Sequence, residues 1–209
     1  GGDLATLYPL RMVAGILYDF ANIEEWLLAN SRRFPHGKKE VEILLRQLKK
    51  GVEPKTTSCG RVLDAVSAVL GICYERTYEG EPAMKLESTA IGGKDVLNLQ
   101  PEVERNVIKT TPMVEEVFHQ RDRHPIADLA YSTQSYIARS LAQLAIEKAE
   151  QLKIKAIGFS GGVAYNEQIT LTIKRVIEES GRTFVVHRMV PPGDGGTSFG
   201  QAIAASLQT

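Results

Sequence analysis

The sequence predicts an α/β protein whose first part is mainly helical. Over most of residues 4–70, apolar residues recur at steps of three and four, the spacing of one helix face. After Lys155 the pattern changes to short apolar runs that end in glycine-rich loops, each followed by a helical segment. This order of strand, loop and helix is typical of α/β folds. The length of 209 residues suits one large domain or two small ones.

Three helical regions are expected in the first 75 residues. They are residues 4–30, 38–50 and 58–70. Gly51 and Gly71 follow the last two of these regions, at a position where glycine commonly ends a helix. The first part of the chain should therefore contribute helices rather than strands.

The middle of the chain gives weaker signals. Glycine and proline interrupt residues 78–111, where a strand near 103–109 is the regular element expected. Helix returns at 113–119, and the longest helix is predicted at 126–152, with Pro125 suited to its first turn.

The last third of the chain predicts a β-α-β-α unit. Strands are expected at 155–159 and 183–187, and helices at 166–179 and 197–207. Because two strands are too few for a stable open sheet, further strands are expected from the weak middle region or from sequence outside these residues. The lobe is therefore expected to be a partial domain.

Charge and cysteine content exclude several classes of protein. Lys+Arg and Asp+Glu are both 25, whereas a dedicated nucleic-acid binder usually carries a basic excess. Two cysteines, Cys59 and Cys73, are too few for a disulfide framework and favour free thiols in a reducing compartment. With no apolar run of about 18 residues and no signal peptide, a cytoplasmic protein without a membrane or nucleic-acid partner is expected.

Two glycine-rich loops that follow strands could carry chemistry. In the loop 158–166, adjacent Gly161 and Gly162 let a ligand approach the backbone, and Ser160 and Asn166 could hydrogen-bond a ribose or a base. Alternatively, the loop is a tight turn with Asn166 as the N-cap of the next helix. Neither a P-loop nor a Rossmann glycine pattern is present.

The second loop, residues 191–197, places one carboxylate among three glycines. Asp194 could hold a divalent metal there, or it could simply cap the following helix.

Two earlier segments are weaker candidates. Gly60 and Asp64 lie four residues apart at a helix start, where the carboxylate could take both ribose hydroxyls. The alternative is a solvated Asp64 or a surface pair with Arg61. In the turn 78–84, Gly80 could approach a ring or a phosphate. The four histidines are interpreted as structural or exposed, and no nucleophile motif is present.

Four regions together resemble the hydrogenase-maturation carbamoyltransferases over essentially the whole chain. They are the opening GGD, the segment TTSCGRVLDAVSAVLGI, the segment YEGEPAMKLE, and the closing pair SGGVAYN and VPPGDGGTSFGQA. The resemblance implies the fold of the actin, hexokinase and Hsp70 ATPases, with a ribonuclease-H-like sheet. Residues 1–88 would then be a helical insertion, and residues 89–209 an α/β lobe.

The resemblance also implies a function. An upstream domain would make carbamoyl-adenylate from ATP and carbamoyl phosphate, and the carbamoyl group would pass to the C-terminal cysteine of a partner protein. It would become the cyanide ligand of a nickel–iron hydrogenase.

The resemblance assigns site residues to this function as well. Gly161, Gly162 and Asn166, together with Ser160, would line the adenosine site. Gly60 and Asp64 would lie at the ribose, with Glu79 and Gly80 nearby. Asp194 would be the catalytic metal ligand, for zinc, iron or magnesium.

Two departures from the family pattern limit this expectation. The family's His-x-x-x-His metal motif and its adenylate-forming domain are absent from these 209 residues. Asp194 would therefore be a lone ligand, and the chain alone is expected to be inactive. Three alternatives remain: a tRNA threonylcarbamoyl transferase lobe, disfavoured by the zero net charge, a non-catalytic lobe that docks a partner, and a sugar-kinase-like ATPase.

Overall fold

The computed structural model describes residues 2–51 and 54–207, so Gly1 of the opening GGD lies outside the described residues. The chain divides into two compact units. Unit 1 comprises Gly1–Leu99 and Lys109–Thr133, and unit 2 comprises Gln100–Ile108 and Gln134–Thr209. The expected division into domains 1–88 and 89–209 stays a prediction.

Unit 1 is helical, as predicted. Its helices are α1 (Gly2–Leu7), α2 (Leu10–Leu17), α3 (Ile23–Ala29), α4 (Gly37–Lys50), α5 (Cys59–Val69), α6 (Glu81–Thr89) and α7 (Thr111–Gln120). The region 4–30 is therefore three short helices, and not one. Pro9 directly precedes α2, and Asn22 adopts a positive φ of 70° before α3, where the backbone leaves the helical conformation.

Helix α5 is the centre of unit 1. Every residue from Leu63 to Leu70 is buried, including Asp64 and Ser67. The helix packs against α2, α6 and α7, so its neighbours cover more than one face. A helix that is buried all round needs no polar face, which explains why its apolar run is nearly continuous.

Two elements of the middle region differ from the sequence prediction. Residues 81–89 form α6, where only a loop was expected; Pro82 starts this helix instead of interrupting it. The strand expected at 103–109 is a hairpin of β1 (Val103–Glu104) and β2 (Val107–Ile108), paired antiparallel. Its turn residues, Arg105 and Asn106, both have positive φ, the conformation of a tight two-residue hairpin turn.

Unit 2 contains the predicted β-α-β-α order. The long helix α8 (Ile126–Gln151) enters it from unit 1 and is followed by β3 (Ala156–Phe159), α9 (Glu167–Glu179), β4 (Thr183–Val186) and α10 (Thr197–Ser206). β3 and β4 pair in parallel, with Phe159 opposite Val186. Ile169, Ile173 and Ile177 recur every four residues on the buried face of α9, which packs against β4.

Unit 2 exposes much apolar surface. In the described part of the chain, the β3–β4 sheet has two strands, so each strand has one unpaired edge. Val185 is 47% exposed on β4, and Phe199 is 54% exposed on α10. None of the helices formed by residues 2–51 and 54–207 has the length and apolar character that a membrane crossing requires.

Candidate functional site

The two glycine loops of unit 2 start side by side. Because Phe159 and Val186 are partners at the ends of parallel strands, the next residues, Ser160 and His187, emerge at the same sheet edge. Ligands of open α/β sheets bind outside the carboxyl ends of strands. The two loops that the sequence analysis selected therefore meet where such a fold places its ligands.

Hydrogen bonds join the two loops directly. The Gly161 backbone N–H donates to the Pro192 carbonyl oxygen at 2.7 Å, and Ser160 Oγ donates to the same oxygen at 3.0 Å. His187 Nε2 lies 2.9 Å from Ser160 Oγ. The histidine is exposed, as predicted, but its contact with Ser160 was missed. The signal that could have found it is its position one residue past β4.

Gly161 occupies a backbone conformation that excludes other residues. Its φ is 106° and its ψ is 175°, a region that is essentially confined to glycine. A Cβ at Gly161 would meet nothing within 4 Å, so the requirement comes from the backbone and not from packing. Gly162 also has open space around a built Cβ, and its φ is not in the positive range.

We expect Gly161→Ala to destabilise the loop by about 1–3 kcal/mol, because alanine at this φ and ψ is strained. Urea unfolding of the chain measures the change. Gly162→Ala is the matched control, since it adds the same methyl group without that strain. Equal unfolding midpoints for the two variants would contradict the assigned conformation.

Asn166 has the capping role that was one of its two sequence interpretations. Its Oδ1 accepts from the Ile169 backbone N–H at 2.8 Å, and its Nδ2 donates to Gln134 Oε1 at 2.8 Å. The side chain is only 7% exposed. The amide thus positions the start of α9, and its contact with an adenosine stays a prediction.

Asp194 is exposed at the start of a 3₁₀ turn, Asp194–Gly196. The loop before it is compact: a Cβ on Gly193 would lie 2.7 Å from the ring of Tyr165. Within residues 2–51 and 54–207, no group of three or more His, Cys, Asp or Glu side chains is placed to hold a metal ion. Among the described residues, Asp194 therefore does not belong to a set of three ligands that would complete a metal site.

The unit 1 candidates centre on a buried carboxylate. Asp64 is 1% exposed on α5, and Arg61 Nη2 lies 2.8 Å from its Oδ2. The backbone N–H of Ala83 on α6 also donates to Asp64. The sequence alternative of a surface pair is therefore corrected: Arg61 and Asp64 do pair, but α6 covers the carboxylate.

Burial changes the pKa of Asp64 more than the neighbouring charges do. Burial raises the pKa of its carboxyl group, and the charges of Arg61 and Arg76 and the Ala83 hydrogen bond lower it by less. Although Arg61 Nη2 is at ion-pair distance, Asp64 Oδ2 and Arg61 Nη1 make no hydrogen bond to any described residue. Buried polar atoms of this kind usually have hydrogen-bond partners. Asp64 Oδ2 could therefore accept a hydrogen bond from a ligand, and Arg61 Nη1 could donate one.

Glu79 and Gly80 lie in the turn that leads into α6. The Glu79 side chain is 85% exposed and lies 3.8 Å from Arg76, while Gly80 adopts a φ of 76°. Gly60, near the start of α5, would bring a Cβ only to 3.7 Å from Ser58 Oγ. Nothing in the described packing thus requires a glycine at position 60, where the missing side chain leaves room for a ligand.

Glu81 holds this turn together, a role that the sequence analysis missed. Its Oε1 accepts from Lys85 Nζ at 2.7 Å, and its Oε2 accepts from the Thr77 backbone N–H at 2.6 Å and from Thr77 Oγ1 at 2.8 Å. The bond from Lys85, followed by those from Thr77, lowers the pKa of Glu81 to about 2. A glutamate at the first position of a helix is the sequence signal for such a role.

We expect Glu81→Gln to change the acid sensitivity of the fold. Because its pKa falls from 4.5 to about 2, ionised Glu81 adds stability that is fully present above about pH 4.5 and is lost as the pH falls to 2. The stability gap between wild type and Glu81→Gln should therefore shrink over that range, measured by urea unfolding. Glu79→Gln, at an exposed position of the same turn, is the matched control. A gap that does not shrink for Glu81→Gln would refute its role.

Both cysteines are free and poorly reactive. Burial raises the pKa of Cys59 to about 11, and burial also raises the pKa of Cys73, whose Sγ donates to the Glu75 carbonyl at 3.2 Å. The thiolate is the reactive form, so neither residue is suited to attack a carbonyl at neutral pH.

The predicted residues form one group in each unit. Unit 1 carries Gly60, Asp64, Glu79 and Gly80, and unit 2 carries Ser160, Gly161, Gly162, Asn166 and Asp194. A cavity of about 390 Å³ in unit 1 lies elsewhere, between Tyr18 and Lys49, and none of these residues lines it. The candidate site therefore consists of loops and helix starts.

The comparisons with known proteins agree on one family. A family model described as "Carbamoyltransferase, Kae1-like Domain, second subdomain" matches residues 1–201. The "Probable carbamoyltransferase HypF" of Methanocaldococcus jannaschii is 42% identical over all of this chain, and the "Carbamoyltransferase HypF" of Rhodobacter capsulatus is 33% identical. The chain covers 27% of the length of each of these two relatives.

A solved structure agrees with the sequence comparisons. The crystal structure of T. kodakarensis HypF superimposes with a TM-score of 0.88 at 38% identity, covering 100% of this chain and 28% of that one. The fold is therefore α/β and matches that of HypF. This chain belongs to the HypF carbamoyltransferase family and corresponds to the second subdomain of its Kae1-like domain.

Proposed function

We propose that this chain is the adenosine-binding lobe of an enzyme that transfers a carbamoyl group from carbamoyl-adenylate to the C-terminal cysteine of a partner protein in nickel–iron hydrogenase maturation. One observation carries the proposal: two glycine loops meet at the carboxyl ends of parallel strands in a member of a carbamoyltransferase family. Open α/β sheets bind ligands at this position.

The transfer is a substitution at the carbamoyl carbon. The acceptor thiolate sulfur forms a bond to that carbon, the bond from carbon to the adenylate oxygen breaks, and AMP leaves with the electron pair. The thiol proton passes to solvent. Burial raises the pKa of both Cys59 and Cys73, which disfavours either thiol as the nucleophile and supports an acceptor thiol from a partner protein.

Each unit offers the proposed nucleotide a glycine with open space around it. Gly162 and Gly60 leave room that the described residues do not fill. Asp64 could accept the ribose hydroxyls only after Arg61 and α6 move, because both cover the carboxylate in this conformation. Arg61 Nη1 lacks a hydrogen-bond partner among the described residues and would be free to turn toward a phosphate.

The proposal includes a divalent metal but names only one of its ligands. Asp194 would supply one carboxylate ligand, and a bound metal would polarise the carbamoyl group as a Lewis acid. Because the described residues do not complete a site, no step of the transfer is assigned to the metal. Carbamoyl phosphate and ATP would be consumed elsewhere in the whole protein, and this chain alone should not turn over.

The finer fold and location are parts of the same proposal. We expect unit 2 to belong to an actin-, hexokinase- and Hsp70-like ATPase lobe, with the helices of unit 1 as an insertion, in a cytoplasmic enzyme. A tRNA threonylcarbamoyl transferase lobe is disfavoured, because net charge zero gives no excess of Lys and Arg for phosphates.

Calorimetric titration tests the proposed nucleotide site. AMP and ATP are titrated into the chain, with and without divalent metal, beside Asp64→Asn and Gly162→Val. Both variants should weaken binding by at least about tenfold, which corresponds to the loss of one charged hydrogen bond or to a blocked approach. Asp19→Asn, at an exposed aspartate between α2 and α3, is the matched control for the lost charge.

Two negative outcomes have different meanings. Binding that survives both variants would contradict the assigned pocket. Absence of binding in a folded chain calls for the same titration in the protein at its natural length; absence there too would overturn the proposed function.

A further inference from the structure

Three polar contacts converge where the two loops of unit 2 meet. Pro192 O accepts from Gly161 N at 2.7 Å and from Ser160 Oγ at 3.0 Å, and His187 Nε2 lies 2.9 Å from the same Ser160 Oγ. We call these contacts the Ser160 tie. None of the histidines was assigned a role by the sequence analysis.

Counting protons favours one direction for the bond between Ser160 and His187. A carbonyl oxygen only accepts, and the two lone pairs of Pro192 O match the two donors that point at it. A serine hydroxyl has one proton, and we assign that of Ser160 to Pro192 O, which can only accept. With this assignment the proton in the contact with His187 comes from the imidazole, through Nε2–H.

We propose that His187 is a positioning residue whose Nε2–H, by donating to Ser160, fixes the loop that carries Asp194. Pro192 is two residues from Asp194, and the Gly196 N–H donates back to Gly193 O at 2.9 Å, so this segment is a closed turn. A tie at Pro192 therefore limits where the Asp194 carboxylate can lie. The effect on carbamoyl transfer rests on the proposed function.

The same assignment argues against another role for the pair. A serine nucleophile needs a base that accepts its proton, whereas the assigned bonds make His187 the donor and Pro192 O the acceptor of the Ser160 proton. The assigned directions are those of a positioning contact, and the opposite tautomer would be needed for a nucleophile and its base. All members of the tie act on backbone position, through bonds that are exposed to water.

Nuclear magnetic resonance of the protein at its natural length, labelled with ¹⁵N-histidine, tests the direction of the bond without any assay of function. His187 should be in the Nε2–H tautomer alone, and Ser160→Ala should convert its signals to an average of both tautomers. His187→Gln identifies the resonance by its disappearance. An Nδ1–H tautomer in the wild type would overturn the proposal, because Ser160 would then be the donor.

Single-turnover carbamoyl transfer in the same full-length protein tests the positioning role. His187→Phe should lower the rate about tenfold, the effect of one lost hydrogen bond. His187→Gln, whose amide can donate from a similar position, should recover the rate to within about threefold. The double variant His187→Phe with Ser160→Ala should be no slower than Ser160→Ala alone, since Ser160→Ala already removes the contact with His187.

The outcomes separate the inference from the proposed function. If Gln is as slow as Phe, or if the double variant shows the product of two losses, His187 acts by another route and the inference fails. If the wild-type protein transfers no carbamoyl group, the proposed function fails, and the tautomer measurement alone decides the inference.

Discussion

Asp194→Asn should lower the rate of carbamoyl transfer by a factor of about a thousand in the protein at its natural length, while AMP binding changes by less than about twofold. The amide matches the carboxylate in shape, so the turn Asp194–Gly196 should persist. The variant removes the one negative charge of the loop 191–197, which is the proposed metal ligand. Quench-flow measurement of carbamoylated acceptor gives the rate, and calorimetry gives the binding.

Glu178→Gln is the matched control for this prediction. It removes one exposed carboxylate from the last turn of α9, in the same unit but at the opposite end of that helix from the glycine loop. Its transfer rate should equal that of the wild type. A normal rate in Asp194→Asn would instead support the alternative of a lobe that docks a partner without taking part in the chemistry.

Gly93→Ala should give the largest loss of stability, about 3 kcal/mol. A Cβ at Gly93 would lie 2.7 Å from the carbonyl carbon of Ala127, closer still to its oxygen, and 3.0 Å from Ala90 O. Both are backbone groups that cannot rotate away, so overpacking adds about 1–3 kcal/mol. The shift would also break the bond from Lys94 N to Asp128 Oδ1, which is 2.9 Å long.

Gly92→Ala separates this clash from backbone strain. Gly92 has a φ of 79° and open space around a built Cβ, so alanine there should cost only about 1–2 kcal/mol. Urea unfolding midpoints of the two variants provide the comparison. If the Gly92 variant is the less stable one, segment 90–97 does not contact the start of α8 as closely as described.

Helices could be predicted well where burial imposes a regular pattern. Val41 and Leu44 lie on the buried face of α4, and the predicted bounds differ from the observed ones by one residue. Helix α6 was missed because Gly80 and Pro82 are typical of a turn, although proline also suits the first turn of a helix. The pattern alone does not distinguish these two uses of proline.

Other features depend on contacts that are distant in sequence. The hairpin turn uses Arg105 and Asn106 at positive φ, with no glycine to signal it. The burial of Asp64 depends on α6, which lies about 20 residues further on. His187 acquires its contact with Ser160 only through strand pairing. Both glycine loops, in contrast, directly follow a strand along the chain. Neighbouring residues show this order, so the sequence was sufficient to identify both loops.

The unpaired edges of β3 and β4 have a consequence for handling this protein. Exposed backbone N–H and C=O groups along an edge strand are a template for pairing with another chain. With Val185 and Val186 both at least 39% exposed, copies of this chain in isolation could associate edge to edge as their concentration rises. Solubility, and not the stability of either unit, would then limit work at high concentration. Val185→Lys would place a charge on the edge strand and oppose this association.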